Sequence, residues 1–200
     1  MVRKKVTPRR DAGRARGEVV SRAVFAATLE ELGAFGVEGL SIERIAERAQ
    51  VNKTSIYRRF ATHDALILAA LEHATAGVVS LPPDTGSLRG DLLALLKRVS
   101  ALLIHPAGRA IVRASASLGA EPRIMLLAQQ RLTAQAMLPV EQLVERARSR
   151  GEWREGVRGE MLVFALVGAV MHRLSMERAK VTGPWLASLV DMMLLGVVPR

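Results

Sequence analysis

Ser41 to Phe60 reads SIERIAERAQVNKTSIYRRF, and the spacing of its apolar residues decides the fold. Ile42, Ile45, Ala46 and Ala49 recur at helical intervals, so one face of a short helix turns inward while Glu43, Arg44, Glu47 and Arg48 stay in water. Gln50 and Val51 interrupt that pattern. Asn52 can accept the free amide protons of a following turn as an N-cap, and the next helix buries Ile56 and Phe60 while presenting Lys53, Thr54, Ser55, Tyr57, Arg58 and Arg59. A helix, a three-residue turn and a second helix carrying base- and phosphate-seeking side chains form a DNA-reading device, whose second helix enters the major groove.

Outward from this stretch the chain reads as helices throughout, about nine of them and no strand. A first helix is expected from Glu18 to Phe35, then Ile42–Ala49, Lys53–Phe60 and, capped by Thr62, His63 to Ser80. The break Leu81-Pro82-Pro83-Asp84-Thr85-Gly86 is followed by Ser87, which can cap a helix from Leu88 to Ile104 ending before Pro106. Further helices are expected over Ala107–Leu118, Arg123–Arg150, Gly159–Lys180 and Trp185–Gly196, with Pro139 kinking the long one near Gln135. This divides the chain into a basic arm (1–16), a helix-turn-helix domain (17–62), a connecting helix (63–80) and a C-terminal helical domain (81–200).

Half of the residues are apolar, which supports a packed globule, and there is no cysteine, so disulfide, zinc-thiolate and iron-sulfur chemistry are excluded. The cysteine count is compatible with a reducing cytoplasm, and the first thirty residues lack the apolar core of a secretory signal. The longest apolar run, Met161 to Met171, is too short to span a bilayer and reads as a buried helix. The formal charge of +10 is uneven: residues 1–16 carry +6, residues 17–80 carry −2 and residues 81–200 carry +6. The arm MVRKKVTPRRDAGRAR has no periodic apolar residue and is expected to be disordered when free, either reaching along a DNA backbone or merely solubilising the chain.

From Val24 to Leu71 the chain resembles the N-terminal domain of the tetracycline-repressor (TetR/AcrR) family of one-component bacterial transcription regulators. The resemblance is carried by Phe25, Ala27, Leu29 and Leu32 on the first helix, Gly36 after it, Leu40-Ser41-Ile42, Ile45-Ala46, Ser55-Ile56-Tyr57-Arg58-Arg59-Phe60 and Ala65-Leu66. Two positions depart from the family pattern. Gln50 replaces the usual glycine of the turn, so it must take a left-handed conformation unaided or the turn is shaped differently. His63 replaces a phosphate-contacting lysine, so that one contact is not carried over with the resemblance. Gly86-Ser87-Leu88-Arg89-Gly90-Asp91-Leu92, the run Arg146 to Glu152 and the final helix pair resemble one common class of the family's C-terminal domains. The resemblance implies that this domain supplies a ligand cavity and a dimer contact.

On this reading Lys53, Thr54 and Ser55 are candidates for base edges, and Arg58 for guanine or phosphate. Tyr57 is similar to the family's phosphate-contacting tyrosine. Ser41 and Arg44 are expected backbone clamps, helped by the positive end of their helix, while Arg59 can instead turn into an intramolecular ion pair. An apolar cavity for a hydrophobic or weakly acidic effector is expected between the helices spanning 88–150. Its lining would include Leu96, Val99, Leu103 and Leu126, with Arg113 and Gln130 as polar groups, although Arg109 and Arg113, one turn apart on a short helix, also suit a wet face. For the dimer, the helix beginning at Gly159 is apolar almost all round, and the last one presents an apolar face. Leu166, Gly168, Leu186, Leu189 and Met193 are therefore assigned to the partner contact; the alternative is that these helices are simply core.

The four histidines lack metal-ligand spacing, and no cofactor motif, nucleophile elbow or phosphate loop is present, so no metal, cofactor or enzymatic activity is expected. The leading expectation is a homodimeric, effector-responsive repressor on a palindromic operator. The competing one is a basic helical packaging protein that coats any DNA.

Overall fold

The computed structural model describes residues 9–79, 82–105, 108–109 and 123–195. Among them the chain forms eight helices and no strand: α1 (Arg9–Phe35), α2 (Ile42–Arg48), α3 (Lys53–Tyr57), α4 (His63–Val79), α5 (Leu88–Ile104), α6 (Arg123–Ser149), α7 (Gly159–Ser175) and α8 (Gly183–Leu194). The expected helix from Ala107 to Leu118 lies outside the described residues except for Gly108 and Arg109, which are helical.

Caps account for most boundaries. Asn52 Oδ1 accepts from the Thr54 amide at 3.0 Å, Thr62 Oγ1 from Ala65 at 3.1 Å and Ser87 Oγ from Gly90 at 3.1 Å. α2 closes on a left-handed residue: Gln50 has φ 53°, with its amide donating to Glu47 O and the Val51 amide to Ala46 O. That pair of bonds is a Schellman end, built here without glycine. The same pair closes α6, where Gly151 takes the left-handed position.

Several boundaries differ from the sequence reading. α3 ends at Tyr57 rather than Phe60, with Arg58 as its C-cap and the Arg59 amide closing a tighter turn onto Ile56 O. α1 starts at Arg9, so residues 9–16 of the expected disordered arm are helical; Ala12, Arg14, Ala15 and Arg16 are strong helix formers that carry the helix past Gly13. Residues 1–8 lie outside the described residues. α7 stops at Ser175 rather than Lys180, because Arg178 is in a left-handed conformation (φ 50°). α8 starts two residues early, with Thr182 as its cap and Pro184 in its first turn, where a missing amide proton costs nothing.

Two cores hold these elements. Val24, Ala27, Leu29, Leu32, Ile42, Ile45, Ile56, Leu66, Ile67 and Leu71 pack α1 to α4 together. Leu92, Leu96, Leu143, Val144, Trp153, Leu166, Val170, Leu186 and Val190 form the second, between α5 and α8. Trp153 donates its indole N–H to Val157 O at 3.3 Å, and Trp185 lies under the Arg173 guanidinium, 4.7 Å from its ring centre. α6 belongs to both cores. Ile124 and Ala128 at its start pack with the first, whereas Val140, Leu143, Val144 and Ala147 beyond Pro139 pack with the second. No helix among the described residues is long and apolar enough to cross a membrane.

Candidate nucleic-acid interface

The surface built by α2 and α3 begins with what each helix must hide. Ile42, Ile45 and Ala46 are buried on α2 and Ile56 on α3, with Phe60 half-buried against the Phe25 ring at 5.7 Å. With its inner side spent in this way, α3 leaves Lys53, Thr54, Tyr57, Arg58 and Arg59 exposed, and Ser55 partly so. Tyr57 is 53% exposed although nothing obliges so large a ring to stand in water. The structure thus brings Lys53, Thr54, Ser55 and Tyr57 onto α3 and Arg58 onto its C-cap, beside the start of α2 where Ser41 sits.

Several of these groups already have partners. Ser41 Oγ accepts from the Arg44 amide at 3.3 Å and donates to Glu43 Oε2 at 3.2 Å. Lys53 Nζ donates to Glu43 Oε1 at 3.0 Å, and this ammonium is the main reason the Glu43 carboxyl lies below its ordinary range. Thr54 Oγ1 donates to Asn52 Oδ1 at 3.0 Å.

Arg44 is placed differently from its expected role as a backbone clamp. Its guanidinium donates to Glu31 and to Gly39 O at 2.6 Å and stacks over the Phe35 ring, 4.4 Å from the centre. It ties α2 to α1. Arg48 adds a second tie to Glu30 at 3.0 Å. Glu31 is fully buried, and its Oε2 has no hydrogen bond, only Arg48 at 3.8 Å. Sequence reasoning does not single out Glu31, yet a signal exists: it lies at i+7 from Val24 and i+3 from Thr28, on the face that α1 buries. Arg59 turns toward α1, lining a groove of about 720 Å³ with Gly17, Arg22, Phe25 and His73. His63, where the family has a lysine, is exposed at the start of α4.

The C-terminal assignments fare unevenly. Leu166, Leu186 and Leu189 are 0%, 3% and 7% exposed within one protomer, so their surface is spent on its own core and none is left for a partner. Met193 is half-buried against that core, whereas Gly168 is exposed, and a methyl group added there would meet nothing within 4 Å. The expected cavity lining is also split. Leu96, Val99 and Leu103 are buried in the second core, but Leu126 and Gln130 stand on the outer side of α6, because Ile124 and Ala128 take its inner side. Arg113 lies outside the described residues.

Comparison with known proteins agrees with this geometry. Residues 24–70 match the model of the bacterial regulatory proteins of the tetR family, and residues 82–193 match a tetracyclin repressor-like C-terminal domain. The chain is 29% identical to the DNA-binding transcriptional repressor TetR of Mycobacteroides abscessus, over 92% of this chain and 96% of that one. It is 28% identical to the HTH-type transcriptional regulator AqdR of Rhodococcus erythropolis, over 78% and 74%. A TetR family transcription regulator of known crystal structure aligns at 32% identity with a TM-score of 0.63, covering 90% of this chain and 99% of its own. Together with the exposed α3 face, these matches show that the chain belongs to the TetR family of helix-turn-helix transcriptional regulators.

Proposed function

We propose that the protein is an effector-responsive repressor that binds a palindromic operator as a homodimer. The observation that carries this reading is the α3 face, where Lys53, Thr54, Tyr57 and Arg58 are held in water on a helix whose other side is locked into the first core. Thr54, Ser55 and Lys53 would address base edges, with Ser41, Tyr57 and Arg58 on the backbone. Arg44 serves as the internal tie that sets the angle of α2. Selection of bound genomic fragments followed by footprinting tests the reading, with two protected half-sites about one or two helical turns apart as the expected result. Uniform coating of any DNA would favour a packaging role instead. Tyr57→Ala with Lys53→Ala should abolish operator binding without loss of helix content, and Tyr57→Phe should remove a single phosphate contact.

The surface that supports a homodimer is the outer stripe of α7 and α8. Met161, Phe164, Gly168 and His172 follow one another at helical spacing on exposed positions, with Met192 and Leu195 exposed on α8 or just beyond it. This stripe replaces Leu166, Leu186 and Leu189 as the proposed contact, and Gly168 stays within it. Phe164→Glu should give a folded monomer that loses the operator, whereas Leu189→Glu should unfold the protomer. A dimeric Phe164→Glu in sedimentation would reject the assignment.

Effector control would run through α6. Its first turns are packed with α4, to which Arg131 is also paired through Glu72 at 3.2 Å, and its last turns with α5 and α7. Pro139 stands between the two regions and removes one helical hydrogen bond. A ligand held beside Leu96, Val99 and Leu103 would tilt the near end of α6 and carry α4 with it, altering the separation of the two α3 helices. Operator affinity falls only as far as the ligand prefers that second arrangement.

A further inference from the structure

Glu43 is an acid where an acid has a cost. It lies in the first turn of α2, beside Ser41, and phosphates approach this end of a helix-turn-helix because the helix dipole and free amides there attract anions. Its two oxygens are divided between the two helices: Oε1 takes Lys53 Nζ of α3 at 3.0 Å and Oε2 takes the Ser41 hydroxyl at 3.2 Å. None of the three is buried; the Glu43 and Lys53 side chains are 64% and 52% exposed, and Ser41 is partly so. Neither fold nor helix capping depends on the pair, since Ser41 caps through its acceptor lone pair and Asn52 caps α3.

We propose that Glu43 tempers the affinity of this surface for DNA, as an intramolecular stand-in for a DNA phosphate that holds Lys53 and Ser41 until base contacts displace it. The proposal rests on the DNA-docking reading above. A carboxylate and a phosphodiester each carry one negative charge and accept charge-assisted hydrogen bonds, so they compete for the same ammonium. On arbitrary DNA, where affinity is almost wholly phosphate contact, Lys53 gains little by exchanging one anion for another, and Glu43 adds repulsion. On the operator, base contacts from α3 make up the difference. The acid therefore lowers affinity for both kinds of DNA: on arbitrary DNA Lys53 stays paired and adds no phosphate contact, and on the operator the exposed pair is weak enough to be displaced at its own cost.

Glu43→Gln tests this, with operator DNA and a scrambled duplex of equal length titrated by fluorescence anisotropy at several salt concentrations. Non-specific affinity should rise about two- to thirty-fold for the two protomers, the value of two exposed ion pairs. The logarithmic salt slope on scrambled DNA should steepen by about 0.9 for each Lys53 released onto a phosphate. Operator affinity should rise by at least as much, because there the wild-type chain meets the full cost of breaking the pair. In a Lys53→Ala background the same substitution should lose most of its effect.

An E43Q variant with unchanged scrambled-DNA affinity and slope would overturn the proposal. So would an undiminished effect in the Lys53→Ala background, because Glu43 would then act by general repulsion. Failure of the wild-type chain to select an operator would instead sink the docking reading, which separates the two.

Discussion

Among the described residues, each half of the molecule buries one carboxylate completely, and the two are treated very differently. Asp91, on α5, accepts from the Thr85 amide at 2.6 Å, the Thr85 hydroxyl at 2.9 Å and Arg150 at 2.9 Å. Arg150 is held in turn by Glu152, which also accepts from the Leu88 amide at 2.7 Å, so the start of α5 is locked to the end of α6. The Glu152 and Asp91 hydrogen bonds, in that order, raise the Arg150 pKa above its ordinary value. Glu31, on α1, has hydrogen bonds to one oxygen only, and its partners Arg44 and Arg48 are nearly half exposed. A buried charge is tolerated where its lone pairs are satisfied. The C-terminal half meets that condition fully, whereas the DNA-reading half leaves its acid partly satisfied and its cations accessible to water.

The largest expected effect is on the better-satisfied acid. Asp91→Asn keeps an acceptor for Thr85 but sets an amide donor against the Arg150 guanidinium, removing a charged hydrogen bond. Urea unfolding should show a loss of about 3 kcal/mol. Glu31→Gln keeps the acceptor used by Arg44 and puts the amide where no hydrogen bond exists, so its cost should be about 1 kcal/mol. Equal costs for the two would break the comparison.

The paired Schellman ends sharpen it further. Gln50→Gly relieves a left-handed side chain at the end of α2 and should stabilise the protein by about 1 kcal/mol, while Gly151→Ala at the end of α6 should destabilise it by a similar amount. Thermal melts of the two variants moving in the same direction would show that their backbones are not equivalent.

The smallest effect belongs to the exposed fork between Arg89 and Asp191, at 2.6 and 2.9 Å. Its hydrogen bonds hold the Asp191 carboxyl below its ordinary value of 3.8. The stabilisation is therefore present above that pH and is lost as pH falls through the lowered folded value. Arg89→Ala should cost less stability near neutral pH than any substitution above, and the cost should shrink further in salt and in acid. A cost unchanged by salt would mean that the guanidinium contributes by packing.

Legibility in the sequence follows the same division. In α2 and α3 the apolar residues fall on one narrow side, so spacing alone tells Ile45 and Ile56 from Lys53 and Tyr57, and Asn52 and Thr62 declare their caps by residue type. The turn demands a left-handed residue, and Gln50 takes it. What spacing does not supply is the use of Arg44, because its partner Glu31 is thirteen residues away on another helix. In α7 apolar side chains run round the whole helix, so nothing in the sequence distinguishes the side facing α5 from the side left over. Leu166, read as facing a partner, is fully buried within the protomer, and the exposed Phe164 is not singled out by the sequence. The Asp91–Arg150 lock is likewise beyond spacing, since its two ends are fifty-nine residues apart.

The division of the aromatic residues has a spectroscopic consequence. Tyr57 is the only tyrosine in the chain and stands at the DNA face, while both tryptophans, Trp153 and Trp185, belong to the C-terminal core. Emission excited through indole thus reads the C-terminal half alone, free of any background from the helix-turn-helix. A fluorinated tyrosine would contribute a single resonance, and that resonance would come from the recognition surface. The wild-type sequence is in effect already labelled at both ends of the effector path proposed above, so the arrival at α3 of any such signal can be timed without introducing a single foreign side chain into the core.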